Sequence, residues 1–310
     1  MRIYEDYYEN TNTDYPVAVY YVDLRNMFLE CVPPHWHSEM EIDLVRSGSV
    51  RFSVGESEAL LSAGDSIWIN SGHLHSIQPA SDSDCVVLSI LFNSSYLFEQ
   101  PDSFLATKYY LPLIENRQLG YAVLRSGEVN DRRSLDAVES ILSANLNKEY
   151  GYELETKSLL STFWLRLLEY SVSGDNDAEL KALTDEERVK EAIGFIHKEY
   201  MHELKLEDIA GSIHVSNSEC CRCFKRSTSL TPFEYLLRYR IFEAARRMQK
   251  NDPSAASMQK LSESVGFNNA SYFNRVFKKN LGCTPSEYRD TIKMSHRDAL
   301  NPYGISIARL

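Results

Sequence analysis

Four residues in the first quarter of the chain carry side chains that bind divalent metal ions. His35, His37 and Glu41 lie within "PPHWHSEMEIDLVRSG", and His75 follows in "GDSIWINSGHLHS". Alternate residues of a strand share a face, so His35 and His37 are expected on the same side. Three imidazoles and a carboxylate could bind Zn²⁺, Ni²⁺, Fe²⁺ or Mn²⁺, and uncoordinated imidazoles could equally hydrogen-bond the hydroxyl groups of a small ligand. We predict that all four residues bind an effector, with a metal ion as the alternative.

A second group of reactive side chains lies in "SECCRCFKR", which contains three of the six cysteines. Cys220, Cys223 and Phe224 are spaced i, i+3 and i+4, which places them on one face of a helix, where cysteine packs as a small hydrophobic residue. A zinc site needs four ligands, and only His214 lies near these cysteines in the sequence. We therefore predict that Cys220 and Cys223 are core residues and that Cys221 lies on the outer face.

An internal repeat supports this interpretation. The segments "SECCRCFKRSTSLTPFEYL" and "ASYFNRVFKKNLGCTPSEYR" align with an offset of 53 residues, so that Arg222 matches Arg275 and Cys220 matches Phe273. Each copy follows a shorter apolar segment and a turn. Ser216 is the predicted N-cap of the first copy, and Gly266 provides the tight turn before the second. A short helix, a turn and a second helix, present twice, predict two helix-turn-helix units.

A long helix is predicted between the units, beginning at Thr231 with Pro232 at its first helical position. It would hold the second helices of the two units about 34 Å apart, one turn of DNA, so that both could enter major grooves. Arginine suits guanine, asparagine suits adenine, and the basic residues further along would contact phosphates. The predicted DNA-binding residues are Ser218, Cys221, Arg222, Lys225, Arg226, Asn268, Asn269, Ser271, Asn274, Arg275, Lys278 and Lys279.

Charge is distributed unevenly between the two halves of the chain. The 310 residues carry a formal net charge of −11, made up of −16 in residues 1–180 and +5 in residues 181–310. A basic half is expected to meet a polyanion. The sequence contains neither a long apolar run nor the pattern of a signal peptide, so we expect a cytoplasmic protein with reduced cysteines.

The elements that position these residues change in character along the chain. Short alternating runs between about Val17 and Phe92, broken by glycines, predict an antiparallel β barrel or sandwich. Apolar residues at helical spacing then predict two helices that cover the barrel or pair two subunits. The predicted segments are a barrel domain at 1–130, helices at 131–172, a linker at 173–186, a helical domain at 187–293 and an unassigned tail at 294–310.

Aromatic residues are frequent in the N-terminal half, and their flat rings would suit the apolar faces of a sugar. Alternation turns Trp36 away from the two histidines that flank it. Trp36 and Trp68 are explained at least as well as core residues on the outer face of the barrel, beneath the covering helices.

The segment "VGFNNASYFNRVFKKNLGCTPSEYR" resembles the C-terminal signature of the AraC/XylS-type bacterial transcription regulators, and the similarity extends over residues 187–293. In the first unit, Glu219 and the cysteines stand where aromatic residues and leucine are more usual. The spacing of the three histidines and the glutamate resembles the paired motifs of cupin barrels, whose metal-binding members use these positions. Regulators of AraC type commonly carry such a barrel as their sensing domain.

The resemblance implies a two-domain protein, with an N-terminal all-β cupin-like barrel plus covering helices and a C-terminal all-α double helix-turn-helix domain. It implies a sequence-specific DNA-binding regulator, expected to be an activator, that binds promoter DNA as a homodimer and responds to a small polar effector such as a sugar. RNA polymerase is a further expected partner, no membrane association is expected, and the tyrosine-rich N-terminal arm is expected to fold over the effector. The alternative is a metal-dependent cupin enzyme with an accessory helical module.

Overall fold

The computed structural model describes residues 15–25, 27, 30–80, 82, 84–98, 100–116, 118–171, 179–249 and 252–294. The N-terminal arm before Tyr15, the first part of the predicted linker and the tail beyond residue 294 lie outside these residues. Apart from a few terminal residues, the chain divides into two compact units, Arg2–Leu183 and Thr184–Gly304. Each unit has its own apolar core.

The N-terminal unit contains two antiparallel sheets, whose strands follow the alternating runs of the sequence. The first sheet has the order β1–β8–β3–β6–β9, and the second has the order β2–β7–β4–β5. This arrangement confirms the predicted N-terminal all-β fold. The strands are β1 Val17–Asp23, β2 Val32–His35, β3 Met40–Ser47, β4 Ser49–Val54, β5 Ser57–Ser62, β6 Ser66–Ile69, β7 His75–Pro79, β8 Val86–Phe92 and β9 Tyr121–Leu124.

Strand β3 illustrates how the sequence gives the first sheet two different faces. Ile42 and Leu44 belong to the apolar layer beneath the helices. Glu41 and Asp43 alternate with them and therefore lie on the opposite face, where both are buried. The first sheet thus presents apolar residues to the helices and carboxylates to the interior of the β domain.

Two helices, α2 Arg132–Asn147 and α3 Tyr152–Ser171, cover the apolar face of the first sheet. Trp164 of α3 packs edge to face on Trp68 of β6, with ring centroids 5.9 Å apart. Its indole Nε1 donates a hydrogen bond to the carbonyl oxygen of Tyr109 at 2.9 Å. Trp68 is fully buried in this layer, so it is a core residue beneath the covering helices and not part of an effector site.

The segment between β8 and α2 contains structure that the sequence analysis does not predict. A 3-10 helix Ser94–Tyr96, a π-helical segment Ala106–Tyr110 and the short helix α1 Leu111–Ile114 precede β9, which pairs with β6 at the edge of the first sheet. Strand β9 has only four residues, too few for a clear alternating pattern, and the pairing with β6 defines it. Leu146 continues the helical spacing of Leu135, Val138 and Leu142 in the sequence, but it is exposed because it lies in the last turn of α2.

The described part of the C-terminal unit consists of helices joined by short turns and contains no strand. The units α5–α6 and α8–α9 are the predicted helix-turn-helix pairs, and α7 contacts α5, α6 and α9. Helix α4 begins at Glu179, inside the predicted linker at 173–186, because "ELKALTDEER" is rich in residues of high helix propensity. The helices are α4 Glu179–Glu199, α5 Leu206–Ser212, α6 Asn217–Thr228, α7 Pro232–Gln249, α8 Met258–Ser264, α9 Ala270–Leu281 and α10 Pro285–Met294, with a 3-10 helix Pro253–Ala256 before α8.

The repeated sequence produces repeated helix starts. At α7, the backbone N–H of Glu234 donates to Oγ1 of Thr231 at 3.3 Å, and the backbone N–H of Thr231 donates to Oε2 of Glu234 at 2.8 Å. Thr284 and Glu287 make the same two bonds at α10, at 3.3 and 2.7 Å. Each pair is a capping box. Ser216 caps α6, as predicted.

Candidate effector site and candidate DNA-binding surface

The four residues predicted to bind an effector lie together in the N-terminal unit. His35 of β2 and His75 of β7 are paired across the second sheet, with ring centroids 4.1 Å apart. His37 follows β2, and Glu41 lies in β3. Oε2 of Glu41 is 3.1 Å from Nε2 of His37 and 3.0 Å from Nε2 of His75. The four side chains therefore form one cluster, of which His35, Glu41 and His75 are buried.

The other nitrogen of each imidazole ring faces a backbone carbonyl oxygen. Because a carbonyl oxygen only accepts, Nδ1 of each ring carries the hydrogen and donates it. These bonds hold the three rings in one orientation and leave Nε2 of each ring as the atom for a metal ion or a ligand. For His35, His37 and His75, the acceptors are the carbonyl oxygens of Pro33 at 2.9 Å, Glu39 at 3.0 Å and His73 at 2.8 Å, respectively.

The charge of this arrangement fits a divalent ion. Nε2 of His37 and Nε2 of His75 face the same carboxylate of Glu41, which only accepts, so either a proton on the ring nitrogen or another cation must lie at each of these two contacts. One divalent ion supplies the same positive charge as two imidazolium rings. The ligand atoms of the four residues lie within 4.8 Å of one another, close to the roughly 4.4 Å that separates opposite ligands with metal bonds of about 2.2 Å.

Burial and hydrogen bonding shift the pKa values of the cluster in opposite directions. Burial favours the neutral form of Glu41, but the hydrogen bonds from His37 and His75 outweigh burial and hold the pKa of Glu41 well below 4.5. Burial also opposes charge on His37, but the hydrogen bond and the charge of Glu41 raise the pKa of His37 above 6.5. Burial, together with the neighbouring His75 and His37, lowers the pKa of His35 well below 6.5. His35 is therefore a neutral imidazole, as a metal ligand must be.

A polar pair that was not predicted from the sequence lies beside this cluster. Asp43 is completely buried on the same face of β3 as Glu41, and Oγ of Ser89 on β8 donates a short hydrogen bond to its Oδ1. Its second oxygen, Oδ2, has no hydrogen-bond partner among the described residues. Burial and the charge of Glu41 raise the pKa of Asp43 well above 3.8. The alternation in "EID" was the available signal, because it puts Asp43 on the face that carries Glu41.

The second helices of the two helix-turn-helix units each have one buried face. In α6, Cys220, Cys223 and Phe224 are fully buried, and Cys221 is half-buried on the outer side. Cys220 and Cys223 thus occupy the core positions that the repeat indicates. The equivalent buried residues of α9 are Phe273, Val276 and Phe277.

The opposite faces of α6 and α9, with the turn before α9, carry the predicted DNA-binding residues. Neither Arg222 nor Arg275 is turned inward. Asn269 caps α9, since its Oδ1 accepts from the backbone N–H of Tyr272 at 3.0 Å, so only its amide nitrogen remains for the predicted contact with DNA. Besides the half-buried Cys221, the exposed predicted residues are Ser218, Arg222, Lys225, Arg226, Asn268, Asn269, Ser271, Asn274, Arg275, Lys278 and Lys279.

Family models match both units of the chain. A model described as an AraC-like ligand binding domain matches residues 16–163, and one described as a helix-turn-helix domain matches residues 209–291. The chain belongs to the AraC-type transcriptional regulators. The resemblance seen in the sequence is therefore confirmed for both halves of this AraC-type protein.

Relatives cover most of the AraC-type chain. YdeC of Bacillus subtilis, described as an uncharacterized HTH-type transcriptional regulator, is 29% identical over 91% of this chain and 94% of its own. The HTH-type transcriptional activator RhaR of Mannheimia succiniciproducens is 24% identical over 83% of this chain and 87% of its own. The crystal structure of ToxT from Vibrio cholerae with a bound unsaturated fatty acid aligns with 90% of this chain and 96% of that chain, at 16% identity and a TM-score of 0.43.

These matches decide between the two classes of protein that the sequence left open, a DNA-binding regulator and a metal-dependent enzyme. The two relatives are transcriptional regulators, and the matched families are a DNA-binding domain and a ligand-binding domain. The protein is therefore a DNA-binding transcriptional regulator and not an enzyme. Within the described residues, no helix combines the length and the apolar character needed to cross a membrane.

Two arginines of the AraC-type domain have carboxylate partners that sequence analysis missed. Arg222 forms an ion pair with Glu219, which precedes it by three residues on α6. Arg226 forms an ion pair with Asp185 of α4. The i, i+3 spacing of Glu219 and Arg222 was a usable signal. The pair of Arg226 and Asp185 was not predictable in this way, because it depends on how α4 packs beside α6.

Proposed function

We propose that this regulator is an activator that binds a small hydroxylated metabolite, such as a sugar, at a divalent metal ion held by His35, His37, Glu41 and His75. The observation that carries the proposal is the common orientation of the three imidazoles. Each has its Nδ1–H bound to a backbone carbonyl oxygen, and two of them have Nε2 against Glu41. A carbonyl bound to the second ring nitrogen is the usual partner of a metal-binding histidine.

The number of protein ligands favours some ions over others. Four protein ligands complete the tetrahedral shell of Zn²⁺, which would leave no position for an effector. An octahedral ion such as Ni²⁺, Fe²⁺ or Mn²⁺ would keep positions open for oxygen atoms of the effector. Asp43 lies on the same face of β3, and its unpaired Oδ2 suits a ligand hydroxyl group. These features support a hydroxylated effector and an octahedral ion.

Helix α3 supports the proposal that two subunits pair through the N-terminal unit. Leu154 and Leu165 are 75% and 53% exposed, whereas Leu160, Phe163, Trp164 and Leu167 of the same helix belong to the apolar core at the first sheet. The two exposed leucines are eleven positions apart, three helical turns, and therefore lie on the same side of α3. Exposed apolar residues aligned on one side of a helix suit a contact with a second copy of the chain.

Control of transcription would follow from a shift between populations of the dimer. Effector binding would favour dimers whose two DNA-binding domains match the spacing of the operator, and the free-energy difference between states would come from the contacts of the effector. The relative RhaR is a transcriptional activator, which supports activation as the direction of control. RNA polymerase would then be the partner at the promoter.

Metal binding is tested on the full chain with a matched histidine control. The purified protein is stripped with a chelator, incubated with Ni²⁺, Fe²⁺ or Mn²⁺ without oxygen, desalted and analysed for metal. Wild type and His202→Ala, which alters an exposed histidine of the other unit, should retain one ion per chain. His75→Ala should retain none. Folded wild-type protein that binds none of the three ions would refute the metal proposal.

Effector binding is tested by its consequence for DNA binding. The operator is first obtained by selecting bound sequences from a random pool of duplexes, and operator affinity is then measured with a panel of sugars and related polyols. At least one compound should change the affinity of the metal-loaded protein and leave that of the chelated protein unchanged. If the compound changed the operator affinity of the metal-loaded and the chelated protein equally, binding of the effector would not depend on the metal ion.

A further inference from the structure

Equivalent arginines of the two helix-turn-helix units have different neighbours. Arg222 of α6 is paired with Glu219 on the same face of the helix. Arg275 of α9 lies beside the ring of Tyr272 instead, with its guanidinium carbon 5.4 Å from the ring centroid. Tyr272 occupies the position in α9 that Glu219 occupies in α6. The arginine is thus the same in both units, and its partner is not.

A second ion pair neutralises the other exposed arginine of α6. Arg226 is paired with Asp185, whose side chain is 2% exposed and which also binds Arg188 at 3.3 Å. Nη2 of Arg226 lies 3.9 Å from Oε1 of Glu219. Glu219 therefore lies between two arginines and would keep Arg226 as a counter-ion if Arg222 moved away.

The basic residues of α9 form no ion pair among the described residues, although the hydrogen bonds that cap α10, and with them the charge of Lys278, lower the pKa of the Glu287 carboxyl. Arg275, Lys278 and Lys279 are exposed and make no ion pair with any residue that the structure describes. The helix sequence "ASYFNRVFKKNL" contains no carboxylate. A cation that is not paired with a carboxylate adds to the affinity for any DNA sequence through the phosphates, whether or not it also contacts a base. In α6, by contrast, Arg222 must first leave its carboxylate partner Glu219 before it can contact a phosphate.

We infer that Glu219 determines the base specificity of the first unit and that the second unit supplies most of the affinity for DNA. Where guanine faces α6, Arg222 can leave Glu219 for the O6 and N7 atoms of the base, and Glu219 can accept from the amino group of a neighbouring cytosine. On other sequences Arg222 stays with Glu219, and the carboxylate is repelled by the phosphates. The inference rests on the proposed function as a DNA-binding regulator and on the contact between α6 and the bases that the sequence predicts.

The test is Glu219→Gln in the full chain, measured on the selected operator, on single-base variants of it and on random duplexes. Glutamine keeps the size of the side chain and frees Arg222. Affinity for random DNA should rise by roughly 8-fold at 0.1 M salt, and the slope of log K against log salt should steepen by about 1. Discrimination at the base pair that faces α6 should fall by about 5-fold or more.

Three further variants make the outcome decisive. Glu203→Gln removes the same charge at an exposed position outside both second helices, and it should leave the salt slope and the discrimination unchanged. Arg275→Gln should weaken binding to random DNA more than Arg222→Gln does. The inference is overturned if Glu219→Gln behaves as Glu203→Gln, or if the two arginine variants lose random-DNA affinity equally. A wild-type protein that selects no sequence would instead refute sequence-specific binding itself.

Discussion

Lowering the pH from 7 to 5 should destabilise the C-terminal unit through one buried histidine. His197 of α4 stacks on the ring of Tyr239, with centroids 3.7 Å apart, and its Nε2 lies 2.8 Å from the hydroxyl oxygen of Tyr235. Its side chain is buried, and burial lowers the pKa of His197 from 6.5 to about 3. The folded unit therefore keeps this imidazole neutral throughout the pH range in which the unfolded chain protonates it.

The sign and size of the effect follow from proton binding. Between pH 6.5 and about pH 3 the unfolded chain binds one proton more than the folded chain at His197, so stability falls as the pH falls. From pH 7 to pH 5 this difference amounts to about 2 kcal/mol. For a unit of the size of Thr184–Gly304, such a loss lowers the Tm by roughly 8 °C.

The assay can separate the two units, because Trp36, Trp68 and Trp164 all lie in the N-terminal unit. Thermal unfolding is followed by far-ultraviolet circular dichroism, to which the helices of both units contribute, and by tryptophan fluorescence, which reports the N-terminal unit alone. The part of the helical transition that has no counterpart in fluorescence is assigned to the C-terminal unit. The helical transition of wild type should move by the stated amount, and His197→Gln should lose most of this pH dependence. If His197→Gln retained the full pH dependence of wild type, the burial of a neutral imidazole would not be its cause.

Three other substitutions test the DNA-binding domain. Arg275→Ala should weaken operator binding by about 1–3 kcal/mol and relax base choice at one position, and equal losses on all single-base variants in a titration would contradict a base contact. Lys278→Ala should weaken all sequences similarly and reduce the salt slope by about 1, which a salt titration checks. Gly266→Ala should lower the free energy of unfolding by at least ~1 kcal/mol, because φ is +86° and a Cβ would lie 2.3 Å from the carbonyl oxygen of Tyr200. Denaturant unfolding like that of wild type would contradict this.

The C-terminal half was predictable because its signals are local. Thr231 and Glu234 are three residues apart and close their own capping box, and Ser216 caps α6 through a bond to a residue three positions later. Gly266 has the positive φ that its turn requires. Signals of this range depend on the immediate sequence, so they can be recognised without knowledge of the packing.

The partners of the candidate site residues were less predictable, because they depend on contacts between distant segments. Asp185 and Arg226 are 41 positions apart, and only the packing of α4 beside α6 brings them together. In the effector cluster, the spacing of residues on strands identified the histidines and Glu41. The carbonyl groups that orient the rings depend on the backbone path before β3 and β7, which the residue types do not specify.

Strand β3 connects the effector cluster with the helices that cover the first sheet. Glu41 and Asp43 face the cluster, whereas Ile42 and Leu44 are buried in the same apolar layer as Trp164 of α3. Protein interiors are close-packed, so a displacement on one face of a strand must be accommodated by the residues packed on the other. A ligand that moves Glu41 is therefore expected to disturb the packing beneath α3. Through this packing, binding of the effector would alter α3, the helix proposed to pair the two subunits. All of the residues involved lie in the N-terminal unit.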